Sequence, residues 1–504
     1  MRYLVNGSQM KSADQYTISQ MGIPSLTLME RAAEKCIEVM EEKGLDLSSP
    51  CIVCGSGNNG GDGFAIARIL TQKGYHVTTC FVGNEAHCTA ETTEQIRRLK
   101  ETGAKITCGY KEADYSILVD AIFGVGLSRE ITGNYRHIIE QMNRSGGVKF
   151  AVDMPSGIHS GEGTVLGIAF RADYTVTFQL EKIGLKLYPG KEYAGCVIPA
   201  DIGIHTDLIE LDTQVAYTYD KEEYCSILPA RKADSHKGTY GKLLVIAGSK
   251  GMSGAAYLNA KAAYRTGAGL VQIYTPEENR VILQTLLPEA IISTYTSYDE
   301  EQLLRLLAWA DTVCIGSGIG TGKNSWKILK TTITHGKVPC LIDADGLNLL
   351  AKHKKYLSQL SSDQVVLTPH MKEMERLTDK SVSELKQKRM ELLNEFVQQY
   401  PVVCALKDSR TVVASHQKAP YVNLSGNSAM AKAGSGDVLT GIIAGLMAQK
   451  VPCYEAAVLG VYLHGASGDR ARDRKGSYSV MAEDLIENLS SVLIEQEEMA
   501  HEKI

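Results

Sequence analysis

Several things are missing from this chain of 504 residues, and each absence removes a class of function. No window of 18 apolar residues is present, which argues against an ordinary transmembrane helix. The opening residues, Met1-Arg-Tyr-Leu-Val-Asn, carry no signal-peptide pattern, so a cytoplasmic location is the expectation. Net charge is only −5, with 53 Lys and Arg against 58 Asp and Glu. The chain therefore lacks the basic excess of a polyanion binder, and neither nucleic acid nor membrane is expected as a partner. No short-period repeat or low-complexity tract appears. The 12 cysteines are dispersed in apolar segments such as Val313-Cys314-Ile315 and Val403-Cys404-Ala405, which suits reduced, buried thiols. Cys51-Ile-Val-Cys54 forms a CxxC. It reads as a strand, where positions three apart face opposite sides, so a metal or redox pair is disfavoured.

What is present is an ordinary globular composition, 44% apolar and 22% charged. The length exceeds the roughly 250–300 residues that one core supports, so two or more domains are expected. Residues 11–43 read as helical, with Leu26, Met29, Ala33, Ile37 and Met40 at helical spacing. Strand-like runs follow at 51–54, 76–82, 116–120 and 149–153, with helices at 63–73 and 89–101. Such alternation predicts a parallel sheet covered by helices on both faces. Around 207–224 the pattern decays into polar sequence with few residues fit for a core, and the domain boundary is placed there. A second alternating series occupies 242–247, 270–274, 312–315, 340–343, 365–367 and 402–406. The expectation is two α/β domains, 1–215 and 216–504.

The most informative segment is Ala431-Lys-Ala433-Gly434-Ser435-Gly436-Asp437, running into Val438-Leu-Thr-Gly-Ile-Ile-Ala-Gly. Small residues at a helix start let the N–H groups of Ala433, Gly434, Ser435 and Gly436 face an anion. A carboxylate there, Asp437, is costly beside a phosphate unless it takes a proton from an attacking hydroxyl. The alternative is a simple helix cap. Lys407, after a strand, suits a nucleotide phosphate. His370 follows Thr-Pro, and its ring either faces a cleft or is structural. Asp343 and Asp345 set a magnesium or water-network role against capping, and Asp345 reads as a cap. Gly316, Gly318 and Gly320 permit close approach of a ligand to the backbone.

A second site is readable in the first half. The strand 51–54 ends in Gly55-Ser-Gly-Asn58-Asn59-Gly60-Gly61-Asp62-Gly before a helix, the geometry that cradles phosphate. Two more strands exit into Asp120-Ala-Ile-Phe-Gly124-Val-Gly126 and Asp153-Met-Pro-Ser156-Gly157. In a parallel sheet all three loops share one edge. Asn59, Asp120 and Ser156 offer hard oxygen ligands without His or Cys, which suits an alkali or alkaline-earth ion.

These segments, with Leu28-Met-Glu-Arg-Ala, Lys182-Ile-Gly-Leu and Ala200-Asp-Ile-Gly-Ile, resemble the NAD(P)H-hydrate epimerase family over nearly all of residues 1–205. The resemblance implies a Rossmann-like three-layer domain. It assigns potassium to Asn59, Asp120 and Ser156. It assigns hydrated dinucleotide to Asn58, Asn59, Gly60, Gly61, Asp62, Gly124, Val125, Gly126, Leu127, Ser128, Arg129, Glu130 and Asp153. One departure is Ser160-Gly161-Glu162-Gly163, where the family often carries Asp-Thr-Gly. Residues 225–495 are similar to the ADP-dependent NAD(P)H-hydrate dehydratases of the ribokinase-like superfamily. The carrying segments are Gly238-Thr-Tyr-Gly-Lys, Ala247-Gly-Ser-Lys-Gly-Met-Ser-Gly254-Ala255-Ala, Gly316-Ser-Gly-Ile-Gly320, Asp343-Ala-Asp-Gly-Leu-Asn, Leu367-Thr-Pro-His370, Leu406-Lys407-Asp-Ser-Arg-Thr and Gly426-Asn427 to Asp437. This implies a ribokinase-like three-layer domain. Gly254, Ala255, Gly318, Gly320, His370 and Asp437 would hold the hydrate. Lys407, Asp408, Ser409, Arg410, Thr411, Asn427, Ala433, Gly434, Ser435 and Gly436 would hold the nucleotide, ADP or ATP, with magnesium. Together the families imply repair of hydrated NADH and NADPH. The first domain would epimerise C6, with Asp153 or Asp62 shuttling the proton. The second would phosphorylate the S epimer, Asp437 acting as base, and eliminate phosphate. A homo-oligomer is expected. Two other readings stay open: a vitamin or sugar-alcohol kinase with an accessory domain, and a non-catalytic nucleotide sensor.

Overall fold

The computed structural model describes residues 1–212, 214–360 and 364–502. Contacts divide the chain into two units, Tyr3–Ala216 and a second made of Met1–Arg2 with the residues from Tyr217 onward. Among the described residues no helix is long and apolar enough to cross a membrane.

In the first unit two helices, α1 (Gly7–Ser19) and α2 (Ser25–Glu42), precede strand β1 (Pro50–Cys54) and helix α3 (Asn58–Gln72). The single helix expected over residues 11–43 is thus broken. Pro24 lacks an N–H and disfavours helical backbone at Ile23, so α2 restarts behind it. Six further strands follow: β2 (Thr78–Phe81), β3 (Ile106–Cys108), β4 (Ile117–Ala121), β5 (Val148–Val152), β6 (Tyr174–Phe178) and β7 (Cys196–Ala200). All pair in parallel, in the order β3-β2-β1-β4-β5-β6-β7. The order reverses between β1 and β4, the crevice where such sheets bind ligands. Alternate strand residues feed two cores. Ile52, Cys54 and Val119 pack with α2 and α3 on one side, and Cys51, Val53 and Leu118 with Ile138 and Met142 on the other. Cys51 and Cys54 therefore enter opposite faces, and all 12 cysteines are free thiols.

Strand β8 (Ala216–Thr218) carries the chain into the second unit. Ile209 and Val215 join the first core, while Tyr217 and Tyr224 join the second. The segment 207–224, expected to be poor in core residues, supplies both units. Five parallel strands alternate with helices: β9 (Lys242–Ile246), β10 (Leu270–Pro276), β11 (Ile291–Tyr295), β12 (Thr312–Ile315) and β13 (Cys340–Ile342). Then come β14 (Val365–Leu367) and β15 (Val403–Leu406), followed by the antiparallel strands β16 (Val412–Ser415) and β17 (Lys418–Val422). Within this unit the order is β11-β10-β9-β12-β13-β14-β15-β16-β17-β8. The helices that matter below are α4 (Ser253–Thr266), α5 (Ala344–Lys352), α6 (Met371–Thr378), α7 (Ser435–Ala448) and α8 (Cys453–Ser479, broken at Gly476). Helix α7 is almost wholly apolar and buried through Val438, Leu439, Ile442, Ile443 and Leu446. That burial fixes its N-terminus at the sheet edge.

Candidate active sites

In the first unit the Gly-rich segment is itself the first turn of α3, with Gly57 as N-cap. The expected start at residue 63 is one turn late. An added Cβ on Gly60 would lie 1.9 Å from Gly55 O, so only glycine lets the turn fold back on β1. Asp120, at the end of β4, is fully buried. Its Oδ1 accepts from Ser156 Oγ at 2.7 Å and Ile122 N at 3.2 Å, and its Oδ2 accepts from Ser156 N at 2.7 Å. Burial pushes its carboxyl up to about 6, against the pull of these donors. Asn59 lies alongside: its Oδ1 is 3.1 Å from where a Gly124 Cβ would sit, and its Nδ2 is buried without a partner. The loop continues through Gly124 and Val125 to an exposed tip at Ser128–Glu130. The departure at 160–163 forms a turn around His159, whose Nδ1 accepts from Gly161 N and Glu162 N.

Asp153 sits just after β5 with φ of +63°, a strained backbone for a non-glycine residue and a common mark of a working position. Its Oδ1 accepts from Lys182 Nζ at 2.6 Å and Phe178 N at 3.2 Å. Lys182 is fully buried and spends its other protons on Thr177 Oγ1 and Phe178 O. Asp62 is also buried. Desolvation, with the charges of Asp153 and Asp14, holds its carboxyl well above the usual range. Asp14, on α1, is raised too, by burial and the charges of Glu91 and Asp153. Sequence reading missed Asp14, whose helix carries no motif. It gave Lys182 only as part of Lys182-Ile-Gly-Leu, without a role.

In the second unit the site gathers where parallel strands exit. Asp343 follows β13 and Lys407 follows β15. Asp343 Oδ1 accepts from Lys407 Nζ at 2.7 Å and Thr368 Oγ1 at 2.8 Å, and its Oδ2 accepts from Thr440 Oγ1 at 2.7 Å. Burial alone would raise Asp343, but Lys407 and the two hydroxyls hold it below the usual range. Desolvation works against the Lys407 ammonium, yet Asp343, Glu373 and Asp437 outweigh it and raise its pKa. Its Nζ lies 3.5 Å from where a Gly436 Cβ would be, at the start of α7. Asp437 is the third residue of α7. Burial, with the charge of Asp343, pushes it up to about 6, while Ser317 and Lys407 pull down. A cation and a carboxyl of raised pKa thus flank helix N–H groups that have no intrahelical acceptor. Ser435 N is an exception to the expected donor set, because it donates to Lys432 O at 3.3 Å.

The remaining expectations fall out unevenly. Gly318 lies against Ala255, 3.1 Å between their Cβ positions, so these two expected substrate contacts meet. Asp345, read as a cap, instead accepts from Gly320 N at 2.9 Å with Oδ2, because its carboxylate reaches across to the β12 loop. His370 is the N-cap of α6: its Nδ1 accepts from Lys372 N and Glu373 N, and Glu373 Oε2 accepts from His370 N. Asp408 is held by Arg389 at 2.6 Å, and Ser409 is exposed. Arg410 Nη1 donates to Ser425 O and Gly426 O, and Thr411 O accepts from Asn423 N, tying the β15–β16 turn to the loop before α7.

A family model described as NAD(P)H-hydrate dehydratase matches residues 243–491, and one described as YjeF-related protein N-terminus matches residues 25–184. The bifunctional NAD(P)H-hydrate repair enzyme Nnr of Moorella thermoacetica is 35% identical over 517 residues, covering 98% of this chain and 97% of that protein. The Escherichia coli enzyme of the same name is 33% identical over 476 residues, covering 94% and 90%. Among solved structures, a ribokinase-like superfamily protein from Enterococcus faecalis matches with a TM-score of 0.50 at 27% identity, covering 56% of this chain and 96% of that one.

Proposed function

Because this chain belongs to the family of bifunctional NAD(P)H-hydrate repair enzymes, we infer that its two units perform the two repair steps with the residues described above. The first unit epimerises hydrated NADH and NADPH, and the second dehydrates the S epimer at the expense of ADP.

Epimerisation inverts C6. The ring nitrogen pushes hydroxide from C6, giving an iminium, and water returns to the other face. Asp62 is the better proton carrier of the two candidates. Its raised pKa keeps a proton available to the leaving hydroxyl, whereas Lys182 anchors the Asp153 carboxylate. Asp62→Asn should slow interconversion of the epimers by about 10²–10⁴-fold and leave dehydration of the S epimer unchanged. Asn59, Asp120 and Ser156 fit potassium. Asp120 keeps one lone pair on Oδ2 unused, and one carboxylate suits a monovalent ion. Held there, the ion would supply charge compensation, and these residues would tie three loops to it.

In the second unit Asp437 takes the proton of the C6 hydroxyl. That oxygen attacks the terminal phosphorus of ADP, and AMP leaves. Lys407 and the N–H groups of Gly436 and Asp437 stabilise the charge on the transferring group, the kind of fixed donor worth about 3–4 kcal/mol each. Phosphate is a better leaving group than hydroxide. The ring nitrogen expels it, C5 loses a proton, and the nicotinamide ring is restored. Magnesium would enter bound to the nucleotide phosphates, as among the described residues no three His, Cys, Asp or Glu side chains converge to hold a metal.

The observation that carries this reading is Lys407 beside the N-terminus of α7 with Asp437 pushed up to about 6. A nucleotide sensor has no use for such a carboxyl. Incubating the protein with hydrated NADH and either ADP or ATP tests it. Recovery of NADH supports elimination, and a stable phosphate ester without NADH supports the alcohol-kinase reading. We place the work in the cytoplasm, in keeping with 12 free thiols. The exposed Val281, Ile282, Leu286 and Ile291 around edge strand β11 support a homo-oligomer, to be checked by sedimentation.

A further inference from the structure

Helix α8 carries Leu463-His464-Gly465-Ala466-Ser467-Gly468-Asp469, a run of small and polar residues that the mechanism above leaves without work. At 100° per residue, His464, Gly468, Gly465 and Asp469 form one continuous strip. The strip backs the chain from Asn423 to Ser435. Asn423 Nδ2 donates to Val461 O at 3.1 Å, and Ser425 Oγ donates to Tyr462 O at 3.0 Å. An added Cβ on Gly465 would lie 2.2 Å from Ser425 Oγ, and one on Gly468 would lie 2.2 Å from Met430 Sδ. The loop lies this close only because the helix is bare there.

Two side chains at the ends of the strip grip the loop. Asp469 Oδ2 accepts from Gly426 N at 2.9 Å, and its Oδ1 accepts from Asn427 Nδ2 at 2.7 Å. This carboxylate thus faces protein donors rather than an incoming phosphate. His464 Nε2 lies 3.2 Å from Ser435 Oγ. Burial, with the charge of Lys407, pushes the His464 pKa down to about 4, so the ring stays neutral at any working pH and adds no charge beside the nucleotide.

We propose that His464 and Asp469 are positioning residues for phosphoryl transfer. From one rigid helix they fix the spacing between Asn427 and Ser435, the two sides of the nucleotide cradle. The proposal rests on the nucleotide reading of this site. His464 acts through Ser435, and Asp469 acts through Asn427 and Gly426.

The test measures magnesium-ADP binding by calorimetry and ADP-dependent recovery of NADH in the full chain, with thermal melts for each variant. Asp469→Asn keeps only one acceptor oxygen, so the ADP Kd and KM should rise about tenfold or more, with kcat changed less. His464→Leu should lower kcat about tenfold, while His464→Gln, whose amide reaches the same hydroxyl, stays within about threefold of the original. His464→Leu combined with Ser435→Ala should be no worse than the poorer single variant. Three results would overturn the proposal: unchanged ADP binding in Asp469→Asn, His464→Gln as impaired as His464→Leu, or additive losses in the double variant. Asp469→Glu and His464→Gln keep the arms readable if a harsher variant melts early. If the unaltered protein bound no ADP, the nucleotide reading would fail first and this proposal with it. If it binds ADP and the variants bind and turn over equally well, only the positioning role falls.

Discussion

Asp437 and Lys407 both lie at the N-terminus of α7, and each shifts the other's pKa. The carboxyl at about 6 leaves Asp437 a base at neutral pH that still holds its proton in mild acid. Turnover by the second unit should therefore fall as pH drops through about 6, where the base becomes protonated. Asp437→Asn should remove that acid limb and lower ADP-dependent dehydration by about 10²–10⁴-fold, with epimerisation intact. Near-normal dehydration by the purified variant would remove the base assignment. At the first site, replacing potassium with a bulky organic cation should weaken epimerisation or lower the melting temperature of the first unit, and Asp120→Ala should abolish the difference. Identical activity and melting in both ions would remove the potassium assignment. Asp437, Lys407, Asp120 and Asp153 were legible in the sequence because each ends a strand or opens a Gly-rich helix. Asp14, His464 and Asp469 were not. They lie inside helices, and only the packing of those helices brings them to a site.

The central strands of both sheets were readable, because buried parallel strands are short apolar runs between turns, whereas the strands at 106–108, 174–178, 196–200, 291–295, 412–415 and 418–422 were not. Helix α2 is legible in its apolar spacing, which does not show the break that Pro24 makes between Ser19 and Ser25. The turn of Asn58–Asp62 reads as a loop in the sequence but is helical. Glycine is a poor helix former in isolation, and here the close packing of Gly60 against Gly55 overrides that propensity. The segment 207–224 misled for a different reason. Besides Ile209 and Val215, its core residues include tyrosines whose hydroxyls are satisfied within the protein. Tyr224 stacks on Tyr462 with ring centroids 3.6 Å apart and bonds to Tyr421 at 2.6 Å, and Tyr217 bonds to Tyr454 at 3.1 Å. Such residues look polar in a sequence and pack as aromatics. A second-unit fragment beginning at residue 230 should therefore melt several degrees below one beginning at residue 216, since loss of a buried aromatic typically costs about 3–5 kcal/mol. Equal melting temperatures would mean that this tyrosine cluster adds nothing.

Each unit has its own core, and a family-model match lies within each. Fragments 1–215 and 216–504 should each give a cooperative melt and keep one activity, the first epimerising and the second dehydrating only the S epimer. Epimerisation mapping to the second fragment, or two fragments without cooperative transitions, would contradict the assignment of one step to each unit. The central claim concerns the whole chain: both epimers of a damaged cofactor return to use through one phosphorylation. An equilibrated mixture of R and S hydrated NADH, incubated with the full protein, magnesium, potassium and excess ADP, measures this directly through NADH absorbance. The account predicts recovery of essentially all the NADH, with one AMP and one phosphate formed per NADH, and none without a nucleotide. Recovery that stops at the S fraction would contradict the epimerase half, and AMP formed without NADH would contradict the dehydratase half.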